Sequence, residues 1–162
     1  MSVQTSIEAS AGEIDGAIGR NKVNATTMVQ PPTTRQIWAM VLKAWKDGDL
    51  DTIRTFVSPD MVILEPDSLP YRGVFKGPDG YARLYRLISD TWEDLVVEQG
   101  QVIGGDDEDA LVIEYFTSGR SRATGRRLER EPSLALWKFR DGKVISMTPF
   151  NFDTVRIREV LA

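Results

Sequence analysis

The sequence predicts an α+β domain in which helices lie on one face of a mostly antiparallel, curved sheet and enclose a pocket with it. Three observations predict this class. Apolar residues recur at helical spacing through three segments between Thr33 and Asp90. After Asp90 the pattern changes to four long runs of strand character, separated by Gly- and Asp-rich turns. Runs of helices followed by runs of strands give α+β architecture rather than alternating α/β.

The elements follow in order. Residues 1–32 are poor in large apolar residues and end at Gln30-Pro31-Pro32, the composition of a flexible leader, with residues 33–162 as the one domain. Thr33-Thr34 caps a first helix whose Ile37, Trp38, Val41, Leu42 and Trp45 form one apolar face, and Gly48 ends it. Asp49 caps a short second helix carrying Leu50, Ile53, Phe56 and Val57. Met61–Leu64 reads as a strand closed by Pro66, and a Pro- and Gly-rich loop fills 66–78. Pro78-Asp79 opens a third helix with Tyr81, Leu84, Tyr85 and Ile88 on one face. The strands are Leu95–Ile103, Ala110–Ser118, Arg127–Phe139 and Val144–Phe152, the last two joined by the hairpin signal Asp141-Gly142. Val155–Leu161 forms a last helical turn, capped by Asp153.

Composition removes several function classes. The 162 residues carry a net charge of −4, and acids dilute the densest basic run (Arg120 to Arg130), which argues against nucleic-acid binding. There are no cysteines and no histidines, so disulfides, thiolate metal sites and every Ser-His or Cys-His pair are excluded. Acid–base chemistry must use Glu, Asp, Tyr, Lys or water. The acidic run Asp106-Asp107-Glu108-Asp109 lacks the spacing of a calcium loop and reads as a solvated turn, so no metal and no cofactor are expected. No apolar run reaches the roughly 20 residues of a membrane span, and no signal-peptide pattern opens the chain. A cytoplasmic protein is the expectation.

Glu65 stands at the end of an apolar strand, directly before Pro66. A carboxylate at the rim of an apolar pocket is partly desolvated, which raises its pKa and makes it a usable base; a solvated strand-end acid is the competing reading. Strand parity proposes the pocket wall. If Ile113, Tyr115 and Thr117 face inward, the same face carries Glu129, Glu131, Ser133, Ala135 and Trp137 on the next strand. On the last strand it carries Met147, Pro149 and Asn151, or Phe150 if the parity slips at the proline. With Trp38, Val41, Trp45, Ile63 and Tyr81 these residues line a cavity suited to a small, flat, hydrophobic molecule. Glu131-Pro132 marks an edge or a bulge, and Glu131 is either a second acid–base group or a rim charge paired with a neighbouring arginine. An exposed strand face with Leu111, Leu134 and Leu136 predicts a homodimer.

Five motifs occur in a telling order: Ala44-Trp45-Lys46-Asp47-Gly48-Asp49-Leu50, Met61-Val62-Ile63-Leu64-Glu65-Pro66, Phe75-Lys76-Gly77-Pro78-Asp79-Gly80-Tyr81, Trp137-Lys138-Phe139-Arg140-Asp141-Gly142-Lys143-Val144 and Phe152-Asp153. Together they resemble the SnoaL-like and ketosteroid isomerase-like group of the nuclear transport factor 2 superfamily, over residues 35–161. The resemblance implies a cone-shaped fold around an enclosed pocket. It implies a general base at Glu65 and a supporting role for Tyr85. Ketosteroid isomerase stabilises its enolate with a tyrosine and a protonated aspartic acid. This chain has Val41 and Ala135 at those positions, so steroid isomerisation is not implied. The Asp–Arg–Asp set of the epoxide hydrolases is replaced by Tyr115, Thr117 and Pro149 or Phe150, and the His–Asp pair of the cyclases has no histidine to form it. The expectation is a cofactor-independent acid–base enzyme of isomerase, cyclase or lyase type, acting on an aromatic or polyketide-like molecule. Glu65 is its base, and Tyr115 or Tyr85 its donor. The alternative is a non-catalytic binding or dimerisation module.

Overall fold

A computed structural model describes residues 30–162. The expectation of a leader concerns mainly positions 1–29, which lie outside the described residues. Helix α1 (Thr34–Asp47) begins with a capping box: the Gln36 amide donates to the Thr33 hydroxyl and the Thr33 amide to the Gln36 side chain. It ends at Gly48, whose φ of 70° is left-handed, and a Cβ there would sit 2.9 Å from the Tyr85 hydroxyl. Only glycine meets both demands. Helix α2 (Leu50–Phe56) is capped by Asp49.

Val57, expected in that helix, instead starts strand β1 (Val57–Glu65), where it is fully buried. The segment 66–78, expected as loop, contains strand β2 (Gly73–Lys76), too short to show an alternating pattern; it pairs antiparallel with β1, with Phe75 opposite Ile63. Helix α3 spans Gly77–Thr91. Strand β3 (Trp92–Ile103) begins three residues before its expected start. A register shift lies between Glu93 and Val96, and Asp94 has a φ of 52°. That bulge interrupts the alternation and hides Trp92–Asp94 from a parity reading.

Strands β4 (Ala110–Ser121), β5 (Arg127–Arg140) and β6 (Lys143–Asn151) complete the sheet. Asp141 and Gly142, with φ of 52° and 71°, make the β5–β6 turn of the kind that matches strand twist. Helix α4 (Thr154–Leu161) closes the chain, capped by Asp153. The sheet order is β2-β1-β6-β5-β4-β3, with β1 and β6 parallel and all other pairs antiparallel. The sheet is open, with edges at β2 and β3. No helix among the described residues is long and apolar enough to cross a membrane.

The main core lies between α1, α3 and the inner sheet face, around Ile37, Trp38, Val41, Met61, Ile63 and Ile113. A second cluster joins α4 to the sheet through Leu69, Trp92, Leu128, Ile157 and Val160, and Tyr71 and Ile88 touch both clusters. Leu111, expected on the exposed strand face, is fully buried opposite Trp137. It shares parity with Ile113 and Tyr115 and therefore points inward. Leu134, expected on the exposed face, is exposed there, Leu136 is half-buried, and Leu64, Val74 and Phe150 add to the exposed apolar residues.

Candidate active site

A cavity of about 170 Å³ lies between the helices and the sheet. Helix α1 contributes Leu42 and Trp45; α3 contributes Tyr81, Leu84, Tyr85 and Ile88. The sheet contributes Val97, Tyr115, Thr117, Ser133, Leu134, Ala135, Trp137, Met147 and Pro149. A dry, apolar cavity of about 150 Å³ accommodates benzene, so this one suits a group the size of a single ring. Trp45 and Tyr85 meet edge to face, with ring centres 6.0 Å apart and planes at 84°.

From Glu131 to Trp137 the inward row falls where strand parity expected it, but Glu129, expected on the same face, is exposed: the extra residue at Arg130 shifts the parity and turns Leu128 inward instead. Ile113 pairs with Ala135, Tyr115 with Ser133 and Thr117 with Glu131. Trp137 pairs with Met147, Ala135 with Pro149 and Ser133 with Asn151. Parity does not slip at Pro149: Phe150 is exposed on the outer face, while Asn151 follows the inner row without lining the cavity. Trp38, Val41, Ile63 and Ile113, expected in the cavity wall, lie behind it in the core. Leu42, Leu84 and Ile88 of the wall belong to apolar helix faces already visible in the sequence, and Pro149 to the inward row of its strand. Val97 carried no signal, because only the packing of helices over the sheet brings it to the cavity; Leu134, expected on the outer face, is exposed and borders the cavity only from its place between Ser133 and Ala135 of the inward row.

Tyr115 lines the cavity on β4. Its hydroxyl oxygen accepts the indole N–H of Trp38 at 3.3 Å and that of Trp137 at 3.0 Å. Burial pushes its pKa up, and the two indole donors pull partly against this, so the proton stays on the oxygen near neutral pH. Tyr81, buried on α3, is also raised by burial and, secondarily, by the proximity of Tyr115.

Glu65 ends β1 on the same face as Met61 and Ile63, both fully buried. Ile63 pairs in parallel with Met147, so Glu65 extends the row that runs beside Met147 toward Pro149, both cavity residues. Glu65 itself lies beside the cavity and not among the residues that line it. Burial pushes its carboxyl up to about 8. No hydrogen bond or ion pair reaches it among the described residues, so nothing offsets the desolvation of its charged form. Tyr71 is close enough for the Glu65 charge to add to the rise that burial gives its hydroxyl, to about 12.

Glu131, expected either as a second acid–base group or as a paired rim charge, does not line the cavity. It is 2% exposed and ion-paired, with Arg156 of α4 and not with Arg130. Arg156 Nη1 donates to Oε2 at 3.0 Å, and the Asp153 amide donates to Oε1 at 3.2 Å. Between an edge and a bulge, the structure selects the bulge: β5 is central, and the register shifts between Thr117 and Gly119 on β4, opposite Leu128–Glu131. Arg130, at a φ of 46°, takes the extra position, and its amide donates to the Ser118 hydroxyl at 2.9 Å. Among the described residues, no group of three or more acidic side chains is placed to hold a metal.

The profile of the SnoaL-like domain matches residues 14–147. No curated protein matches the chain. Among solved structures, a nuclear transport factor 2-like protein from Burkholderia thailandensis E264 is similar, with a TM-score of 0.72 and 21% identity over 80% of this chain and 98% of that one. TerC, co-crystallized with polyporic acid, superimposes with a TM-score of 0.68 and 18% identity over 78% of this chain and 96% of its own. A protein with a ketosteroid isomerase-like fold from Catenulispora acidiphila DSM 44928, in complex with trimethylamine, gives a TM-score of 0.64 and 15% identity over 80% and 96%. At these identities the structures speak for the fold, which is the one the five motifs implied. The profile covers most of the chain, and the protein belongs to the SnoaL-like domain family.

Proposed function

We propose that the protein is a cofactor-independent acid–base enzyme of isomerase, cyclase or lyase type, acting on a small aromatic or polyketide-like carbonyl compound. The observation that carries this reading is Glu65, an inward-facing carboxyl without a partner among the described residues, at the edge of an apolar cavity. Its carboxylate removes a proton from the carbon beside the carbonyl. The electron pair moves onto the carbonyl oxygen, where Tyr115 donates a hydrogen bond to the developing charge. In an isomerisation the proton returns from Glu65 to another carbon; in a cyclisation the new carbanion adds to a second carbonyl, whose C=O π bond opens to an alkoxide that takes the proton back from Glu65. Tyr85 lines the same cavity and is a second donor. The aromatic walls support a flat ligand, and TerC, a protein of this fold, was co-crystallized with polyporic acid.

The test is deuterium uptake from heavy water at the α-carbon of small aryl ketones, followed by mass spectrometry. Wild-type protein is expected to accelerate uptake with a rate that rises with pH through about 8, as Glu65 ionises. Uptake no faster than in buffer across an aryl ketone panel sinks the enzyme reading. The position of Glu65 outside the cavity lining favours a second reading, a binding module without catalysis. That reading expects ketone binding in the cavity and no uptake.

We also infer a homodimer through the outer sheet face, where Leu64, Leu134 and Phe150 are 46%, 45% and 57% exposed. Replacing Phe150 with glutamate is expected to convert a dimer into a monomer by light scattering. A wild-type monomer at micromolar concentration contradicts the inference.

A further inference from the structure

We infer that Trp38 and Trp137 are positioning residues that fix the Tyr115 hydroxyl as a hydrogen-bond donor into the cavity, which therefore selects ligands presenting a carbonyl or phenolate oxygen. The inference builds on the acid–base reading above, and deepens it by naming what the cavity recognises. A phenolic hydroxyl has one proton and two lone pairs, whereas an indole N–H only donates. Both indoles donate to the same oxygen, from α1 on one side and β5 on the other. With both lone pairs engaged, the hydroxyl has only its proton left to offer. No acceptor for that proton is present among the described residues, and Tyr115 forms part of the cavity wall. Trp38 and Trp137 are 4% and 6% exposed, so their N–H groups have no solvent alternative and are held where Tyr115 needs them.

Val41 and Ala135 are buried and cannot donate. Tyr115, on β4, differs from the other hydroxyls of the cavity wall in accepting from two indoles. A lone tyrosine hydroxyl rotates and can accept as well as donate. A hydroxyl held by two donors cannot accept, so a ligand offering only N–H or O–H groups finds no partner in it.

The probes are 4-nitrophenol, bound as its phenolate, and nitrobenzene, which has the same ring and no phenolate oxygen. Wild-type protein is expected to bind the phenolate more tightly, by roughly tenfold or more, as suits a charge-assisted hydrogen bond. Tyr115→Phe is expected to reduce that ratio to near one. Trp38→Phe, behind the cavity wall, is expected to reduce it several-fold while leaving nitrobenzene affinity unchanged, which a merely structural role does not predict; Trp137→Phe, which also alters the wall, is expected to reduce the ratio several-fold. A ratio near one in the wild type, or a ratio unchanged in both tryptophan variants, overturns the inference. Should those variants not fold, indole N–H exchange by NMR decides: both protons are expected to be protected in wild type and to exchange faster in Tyr115→Phe. Equal exchange in the two proteins overturns it. The phenolate preference does not need turnover, so it survives if Glu65 proves not to be a base. Ketone deuteration that depends on Glu65, together with a ratio near one, rejects the indole clamp alone.

Discussion

Replacing Glu65 with glutamine is expected to lower the rate of α-carbon deuteration on the order of a hundred- to ten-thousandfold, the usual contribution of a positioned general base. The fold and the phenolate preference of the cavity are expected to survive, because the amide keeps the shape of the side chain. The same substitution is expected to change the pH dependence of stability, with a sign that follows from burial. The folded-state pKa of Glu65, about 8, lies above its ordinary value of 4.5. Between these values the folded chain keeps a proton that the unfolded chain has lost. Stability is therefore complete below about pH 4.5, falls as pH rises, and reaches its floor above about pH 8, a span on the order of a few kcal/mol. Glutamine carries no such proton, so the variant is expected to be the more stable protein above pH 8 and to lose that margin toward pH 5. Denaturant midpoints across this range measure the effect. A wild-type midpoint flat between pH 5 and 9 means that Glu65 is solvated. Deuteration within a few-fold of wild type rejects it as the base.

The second large effect is expected at Glu131, on stability. Both of its oxygens accept hydrogen bonds from the start of α4, one from the Arg156 guanidinium and one from the Asp153 amide. Glu131 is almost fully buried, while Arg156 is half exposed and can regain water when the pair is broken. Glu131→Ala therefore deletes the anchor of α4 without stranding a buried cation, at a cost of about 3 kcal/mol, the low end of the range for breaking buried pairs. Glu131→Gln keeps an acceptor and is expected to cost less. Arg156→Ala in the Glu131→Ala background should add only the exposed 3.3 Å bond that Arg156 donates to the Glu129 carbonyl, because the ion pair is already broken. Urea midpoints measure all three. The rest of α4 is held by backbone contacts, with Thr124 donating to the Val160 carbonyl and Arg126 to those of Glu159 and Ala162. The helix is expected to loosen rather than unfold. Ketone deuteration should be nearly unchanged, since Glu131 stands outside the cavity. A large loss of activity at unchanged stability restores it as an acid–base group.

Much of this architecture is legible in the sequence because local chemistry decides it. Thr33, Gly48, Asp49 and Asp153 mark helix ends through their own side chains or φ angles. Asp141-Gly142 specifies its turn through two left-handed residues. What escaped was non-local. Strand β2 has four residues and exists because β1 offers it an edge. The start of β3 is masked by a bulge, and Leu111 points inward because the register with β5 puts it opposite Trp137.

The candidate site divides in the same way. The sequence by itself determined which groups exist: no histidine, no cysteine, a carboxylate before a proline, and inward rows two residues apart along β4, β5 and β6. A period of two is a property of the extended chain, so parity could name Tyr115, Ser133, Ala135, Trp137 and Met147 without a structure. Only the tertiary structure decided what those groups are free to do. It took Glu131 out of the cavity by setting Arg156 and the Asp153 amide against it, contacts 25 and 22 residues apart along the chain. It left Glu65 without a partner among the described residues. It brought Trp38, 77 residues from Tyr115, onto the same oxygen as Trp137. Partners and desolvation set the charge of a carboxyl and the direction of a hydroxyl, and both come from segments that meet only when the chain folds.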